Sequence, residues 1–294
     1  MKDIFRDKFV ILESPPGASD KPEIVQTSLI DPANPSISRQ FTQLGFVVLR
    51  SVFSKNEMAE FRTAANERFP SNTPPYTSQS SSSMVFDEPF NMIFTNEKVI
   101  GALKEILGDD FIFLNEQTIL DSNWSGWHAD TTNMEVKGFH EFHWAPTFLL
   151  VQCALYLQSN EEGGFGLDVI PHSHVLDDPT AYNLLRNQGK DDRHLNPGQP
   201  IIQEKEAVRL DTKAGDIVFF HYRLTHRASP RIATTKNDSG RKFGVFTAAG
   251  VNNQNSRRFR TWLDEYTIIL NEESRPEIPE DYRRRLSSFG VGII

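Results

Sequence analysis

The chain has 294 residues, of which 38% are hydrophobic and 11% aromatic, enough for a sizeable core rich in its 22 phenylalanines. Its formal charge of −8 argues against nucleic acid or an anionic membrane as the main partner. The single cysteine excludes an internal disulfide and a thiolate zinc cluster. With no secretory leader pattern and no apolar run of spanning length, the expected setting is the cytoplasm.

Residues 1–35, rich in Pro, Ser and Asp, read as an irregular arm. Phe46-Val47-Val48-Leu49 reads as a short buried strand. Ser54 with Glu57 three positions on is a capping-box signature, and Met58, Phe61, Ala65 and Phe69 share one face of the helix it starts. SNTPPYTSQSSSSM (71–84) reads as an exposed loop. A second helix runs from about Glu97 to Leu107, with Val99, Ile100, Leu103, Ile106 and Leu107 at helical spacing and Gly108 at the cap position.

From Phe111 the pattern changes to short apolar runs between polar turns: FIFLNEQTIL, TFLLVQCALYLQ, GLDVIP, GDIVFFH and RKFGVFTAAGV. This predicts a mainly β sandwich or barrel with flanking helices, in a single domain. Two long connections interrupt the runs, TTNMEVKGFHEFHWAP and NQGKDDRHLNPGQP, and such lengths point to lids or binding loops. Phe259, Trp262, Leu263, Tyr266, Ile269 and Leu270 form an apolar stripe over about 256–271. It reads as a helix packed on the core, with a homodimer contact as the alternative.

The chemistry centres on a few of the eight histidines. His128 and Asp130 form H-x-D, and residues two apart at a strand end point to one side. His226 follows the strand GDIVFFH. Two imidazoles and one carboxylate on one face of an octahedron are the facial triad of non-haem Fe(II) oxygenases, whose open positions admit a 2-oxo acid and dioxygen. His221 is the competing distal ligand, and His226 is preferred because it lies at the strand end. Arg241 opens a later strand that would lie beside the metal, where a guanidinium can grip the distal carboxylate of 2-oxoglutarate bidentately.

These motifs in this order resemble the phytanoyl-CoA dioxygenase-like (PhyH) branch of the Fe(II)/2-oxoglutarate-dependent dioxygenases. The resemblance runs over about residues 40–250, through FTQLGFVVLRSVFS, EQTIL, WHAD, GLDVIPHSH, GDIVFFHYRLTH and the Arg241 strand. It implies a double-stranded β-helix (jelly-roll, cupin-like) core, with Fe(II), 2-oxoglutarate and O2 as cofactor and co-substrates. The implied reaction converts 2-oxoglutarate to succinate and CO2 while a second, small organic substrate is oxidised. It further implies that Gln117 faces the pocket and that Ser229 contacts the 2-oxoglutarate carboxylate. His172 stands where the family usually has glycine. Related halogenases replace the carboxylate of the triad by a small residue, so Asp130 points to hydroxylation, desaturation or ring formation.

The loop after WHAD supplies Phe139, His143 and Trp144 as candidate substrate contacts. His140 and His143 have H-x-x-H spacing but lack the glutamate of a zinc-protease motif. Arg223, Arg227 and Arg231 flank His226 and read as solvated surface charge, with an anionic substrate group as the sharper alternative for Arg223. No separate protein acid or base is expected. The rival readings are a metal-binding protein of the same fold without turnover, and a cupin-type site built on His172 and His174 without 2-oxoglutarate. The substrate class read here is a metabolite or natural-product intermediate.

Overall fold

Local capping chemistry starts several helices of this computed structural model. It describes residues 36–69, 77–81, 86–121, 129–131, 148–159, 166–175, 207–229, 243–271 and 277–294. The N-terminal arm and the connection at 187–200 lie outside them. Helix α1 (Ile37–Leu44) begins where the Ser36 hydroxyl accepts from the Arg39 amide at 3.2 Å. It ends at Gly45, whose φ of 84° is the left-handed conformation that closes a helix. The expected strand β1 (Phe46–Leu49) follows at once.

Helix α2 (Lys55–Arg68) carries the expected capping box: the Ser54 amide donates to Glu57 at 2.7 Å, and the Glu57 amide to Ser54 Oγ at 3.3 Å. Strand β2 (Thr77–Ser81) corrects the loop reading of 71–84, since this stretch pairs antiparallel with β3 (Phe111–Asp121). Its T-S-Q-S-S sequence has no apolar alternation, so only the neighbouring strand reveals it. Between them lie α3 (Met92–Thr95) and α4 (Glu97–Leu107), the latter capped by Asn96 and closed by Gly108 at φ 88°.

The remaining elements are β4 (Leu150–Tyr156), β5 (Leu167–Val169), β6 (Val208–Arg209), β7 (Ile217–His221), β8 (His226–Ala228), β9 (Gly244–Val251), α5 (Gln254–Asn271), α6 (Glu280–Ser288) and β10 (Gly292–Ile293). They form a seven-stranded sheet, β1-β7-β4-β9-β3-β10 with β2 also on β3, and a three-stranded sheet, β6-β5-β8. All pairings are antiparallel except β10 on β3.

Strand alternation separates two faces of the large sheet. Val151, Cys153, Leu155, Phe219 and Val245 pack with Phe61 and Ala65 of α2, Leu103 of α4 and Leu286 of α6. On the opposite face Ala154, Tyr156, Val218 and Phe220 meet Leu167 and Val169 of the small sheet. Farther along that face, Leu114, Leu150 and Ala248 are covered by Phe259, Trp262 and Leu263 of α5, so this part of the stripe is core. The side chains of Tyr266, Ile269 and Leu270 lie outside the described residues. Among the described residues no helix is long and apolar enough to cross a membrane.

Candidate iron and co-substrate site

The distal histidine is placed by the alternation of the small sheet. Val169 pairs with His226, and Val169 is core between the sheets, so His226 points into the same space. It is buried, with the Phe220 ring centroid 4.7 Å from its own. Its Nδ1 lies 2.9 Å from the Leu224 carbonyl oxygen. A carbonyl only accepts, so Nδ1 carries a proton, and Nε2 is the ring nitrogen turned to Asp130. Nε2 lies 3.7 Å from Asp130 Oδ1. Bonds of about 2.1 Å from one cation reach donors up to about 4 Å apart, so a single ion can bridge this pair. An imidazole nitrogen aimed at a carboxylate, with the other ring nitrogen held by a carbonyl, is a donor set suited to a cation.

His128 lies outside the described residues, and among those described no three His, Cys, Asp or Glu side chains converge on one point. His221 is separated from this centre by its hydrogen bonds. Its Nδ1 accepts from the Arg223 amide at 2.9 Å, and the Phe148 backbone bonds the ring as well. Burial, with the nearby Arg223 and His174, holds it neutral, its pKa well below the usual imidazole value. Both ring nitrogens are therefore engaged, and His226 is the distal histidine that faces Asp130.

The H-x-H pair does not form a cupin site. His172 is exposed at φ 68°, the left-handed region where glycine sits without strain, which accounts for the family's usual residue there. His174 is buried and its Nε2 donates to the Thr42 carbonyl at 3.1 Å. Burial lowers its pKa to about 4, despite that hydrogen bond.

Two secondary expectations are corrected. Gln117 shares a face with Ile119, which packs against the helices, and its Nε2 donates to the Phe90 carbonyl at 3.4 Å. It therefore faces the helical layer together with Phe113 and Ile119, as the alternation along β3 requires. Ser229 continues the ladder past His226 with its amide on the Gly166 carbonyl at 2.9 Å. Three positions from His226 it points to the opposite face, where its hydroxyl donates to Asp168 at 2.7 Å.

The surface reading of the arginines is also corrected. Arg227 is buried and donates to Asp168 at 3.1 Å, and Arg223 is partly buried, which lowers its pKa. Arg231, Arg241, Phe139, His140, His143 and Trp144 lie outside the described residues.

Sequence reading missed Gln152 and Asp168. Gln152 pairs with Phe220 and Ala248, on the face of β4 that carries Ala154 and Tyr156. Its Oε1 is buried with no hydrogen-bond partner among the described residues. The signal was a lone amide inside LLVQCALYL. Asp168 was legible in the same way, as an acid inside GLDVIP. The Tyr156 hydroxyl is held un-ionised chiefly by burial and then by the negative charges of Asp168 and Asp130.

No curated protein sequence matches the chain. Among solved structures it is similar to SnoK, a non-haem α-ketoglutarate-dependent carbocyclase from nogalamycin biosynthesis, at 17% identity and TM-score 0.50, covering 76% of this chain and 89% of that one. It is also similar to EctD from S. alaskensis, solved with bound Fe, at 16% identity and TM-score 0.50, covering 79% and 82%. HygX from Streptomyces hygroscopicus, solved with nickel and 2-oxoglutarate, gives 19% identity and TM-score 0.49 over 72% and 84%. These likenesses concern the fold. The profile of the phytanoyl-CoA dioxygenase (PhyH) family matches residues 41–236, well over half of the chain. With that match spanning β1 through β8 and the cation-ready pair within it, the chain belongs to the phytanoyl-CoA dioxygenase family and is an Fe(II)- and 2-oxoglutarate-dependent oxygenase.

Proposed function

We propose that the chain is one catalytic domain over residues 1–294, its two sheets forming a double-stranded β-helix, that oxidises a small organic metabolite held between them. His128, Asp130 and His226 hold the iron, and Arg241 anchors 2-oxoglutarate through its distal carboxylate. The observation that carries the metal assignment is His226 Nε2 facing Asp130 Oδ1 at 3.7 Å while Nδ1 is held by Leu224. Iron bound there supplies the coupled decarboxylation of 2-oxoglutarate and oxidation of the second substrate by dioxygen.

The protein contributes orientation and a dry pocket. Leu224 fixes the tautomer of His226, and Phe220 keeps its ring from rotating. Asp130 occupies the position that a halogenating relative leaves open, so the product is hydroxylated, desaturated or cyclised. Tyr156, Phe220 and Phe246 wall the space between the sheets, with the Gln152 amide as a polar point able to meet a ligand. A largely apolar natural-product intermediate suits such walls.

The test is anaerobic loading with Fe(II) and 2-oxoglutarate, read by the visible charge-transfer band of a chelated 2-oxo acid, followed by succinate formation with oxygen. His226→Ala and Asp130→Ala are expected to lose both signals. Full metal affinity and full succinate yield in either variant would sink the assignment.

A further inference from the structure

The strand that carries His226 is short. Among the described residues β8 is three residues long and pairs with β5, itself three residues long. A metal ligand on so short a ladder needs another restraint to hold its donor atom in place.

That restraint lies on the opposite face of the sheet. Leu167 and Val169 point inward, so Asp168 between them points outward. Its carboxylate is 1% exposed, and it binds side chains from both flanking strands. Arg209 of β6 donates through Nε to Oδ1 at 2.9 Å. Arg227 of β8 donates through Nε to Oδ2 at 3.1 Å, and Ser229 donates to Oδ1 at 2.7 Å. Both guanidiniums are only 9% exposed in their side chains. A buried carboxylate with charged donors in this geometry is held far more firmly than a surface pair. The residue next to His226 and the residue three beyond it are thus fastened to one fixed point, while His226 projects from the other side.

We propose that Asp168 is a positioning residue for the metal centre, acting through Arg227 to fix the strand from which His226 reaches the iron. This rests on the reading of His226 as an iron ligand. Arg209 shares the same carboxylate but sits on the other flanking strand, so it anchors Asp168 without holding β8.

The two arginines make the idea separable from electrostatics. Removing either leaves Asp168 with one guanidinium, so neither change strands a bare buried charge. Each also removes one positive charge near the metal, which by Coulomb's law alone would tighten cation binding. Positioning predicts the opposite sign, and for one variant only.

The experiment titrates the full-length apoprotein with Co(II) alone, reading affinity and the d–d spectrum. Arg227→Met is expected to weaken Co(II) by about 10- to 100-fold, the usual effect of losing an outer-shell support, and to alter the d–d bands. Arg209→Met is expected to bind as wild type or more tightly. If Arg227→Met fails to fold, Arg227→Lys serves: it keeps the charge, lacks the Nε–H that meets Asp168, and is expected to weaken Co(II) with altered bands. Equal weakening in the Met variants at both positions, or wild-type affinity and spectrum in the Arg227 variant, would overturn the proposal. His226→Ala separates the two levels. If it binds Co(II) like wild type, the iron-site reading fails; if it loses Co(II) while the Arg227 variant does not, only the positioning role fails.

Discussion

Gly45 joins the first helix to the sheet and packs against Leu224, whose carbonyl holds His226, so Gly45→Ala tests the packing there. Its φ is 84°, and an added Cβ would lie 2.5 Å from His174 Nδ1, 2.8 Å from Leu224 Cδ1 and 2.9 Å from His174 Cγ. His174 has little freedom to yield, because it is buried and its Nε2 is tied to the Thr42 carbonyl. Leu224 is fully buried, and its carbonyl holds His226. A left-handed non-glycine residue costs roughly 1–2 kcal/mol and overpacking a further 1–3, so the total is about 2–5 kcal/mol. For a protein of this size that corresponds to a melting-temperature loss on the order of 10 °C.

Gly101→Ala is the control. It lies inside α4 with nothing within 4 Å of its added Cβ, and is expected to stabilise by about 0.5–1 kcal/mol. The assay is thermal and urea unfolding of both apoproteins, with Co(II) affinity measured alongside. Gly45→Ala is expected to lose stability and to bind Co(II) less tightly, because a displaced Leu224 moves the acceptor of His226 Nδ1. Equal melting of Gly45→Ala and wild type would refute the reasoning.

Three further outcomes follow, the first from the proposed role of Arg241 and the others from the packing of the core. Arg241→Leu should raise the dissociation constant for 2-oxoglutarate by about 10- to 100-fold, the value of a charged, paired hydrogen bond, while Fe(II) affinity in the absence of 2-oxoglutarate stays at the wild-type value; equilibrium titration measures both. His174 is held neutral in the fold, its pKa lowered from 6.5 to about 4 chiefly by burial. Below pH 6.5 the unfolded chain therefore takes up a proton that the folded chain refuses, so stability falls as pH drops from there toward 4 and His174 adds no further loss below it. Urea midpoints across that range should show the slope, and His174→Gln should reduce it, with the buried His221 supplying a remainder; identical slopes would exclude His174 as a source. Cys153 is 2% exposed and burial pushes its thiol pKa up, so a thiol reagent should label none of the native protein and one group per chain in denaturant.

The parts of the fold legible in sequence were those specified locally. The capping box at Ser54, the helical stripe of α4 and the apolar runs of β4, β7 and β9 each write their geometry within a few residues. Helix α1 was hidden because its sequence reads as the approach to β1, and β2 because a polar strand carries no pattern of its own. The site divided along the same line. H-x-D before a strand and a histidine after one gave its chemistry, but the orientation of single side chains did not follow. Gln117 was assigned to the pocket by its position in a motif, but the alternation of β3 puts it with Phe113 and Ile119 on the face that meets the helices.

By itself, then, the sequence determined the class of chemistry, since the residue types and their order at strand ends limit which metal and co-substrate can bind. Tertiary structure alone decided which histidine of GDIVFFHYRLTH is presented to Asp130. His221 and His226 are equivalent as residue types, but the Arg223 amide takes Nδ1 of one ring, while the Leu224 carbonyl takes Nδ1 of the other and Nε2 there faces Asp130. It also decided that Arg227 and Ser229 belong behind the site, clasping Asp168, which no local pattern shows. The physical reason is that a strand alternates its faces strictly, while which face becomes pocket depends on the sheet it packs against.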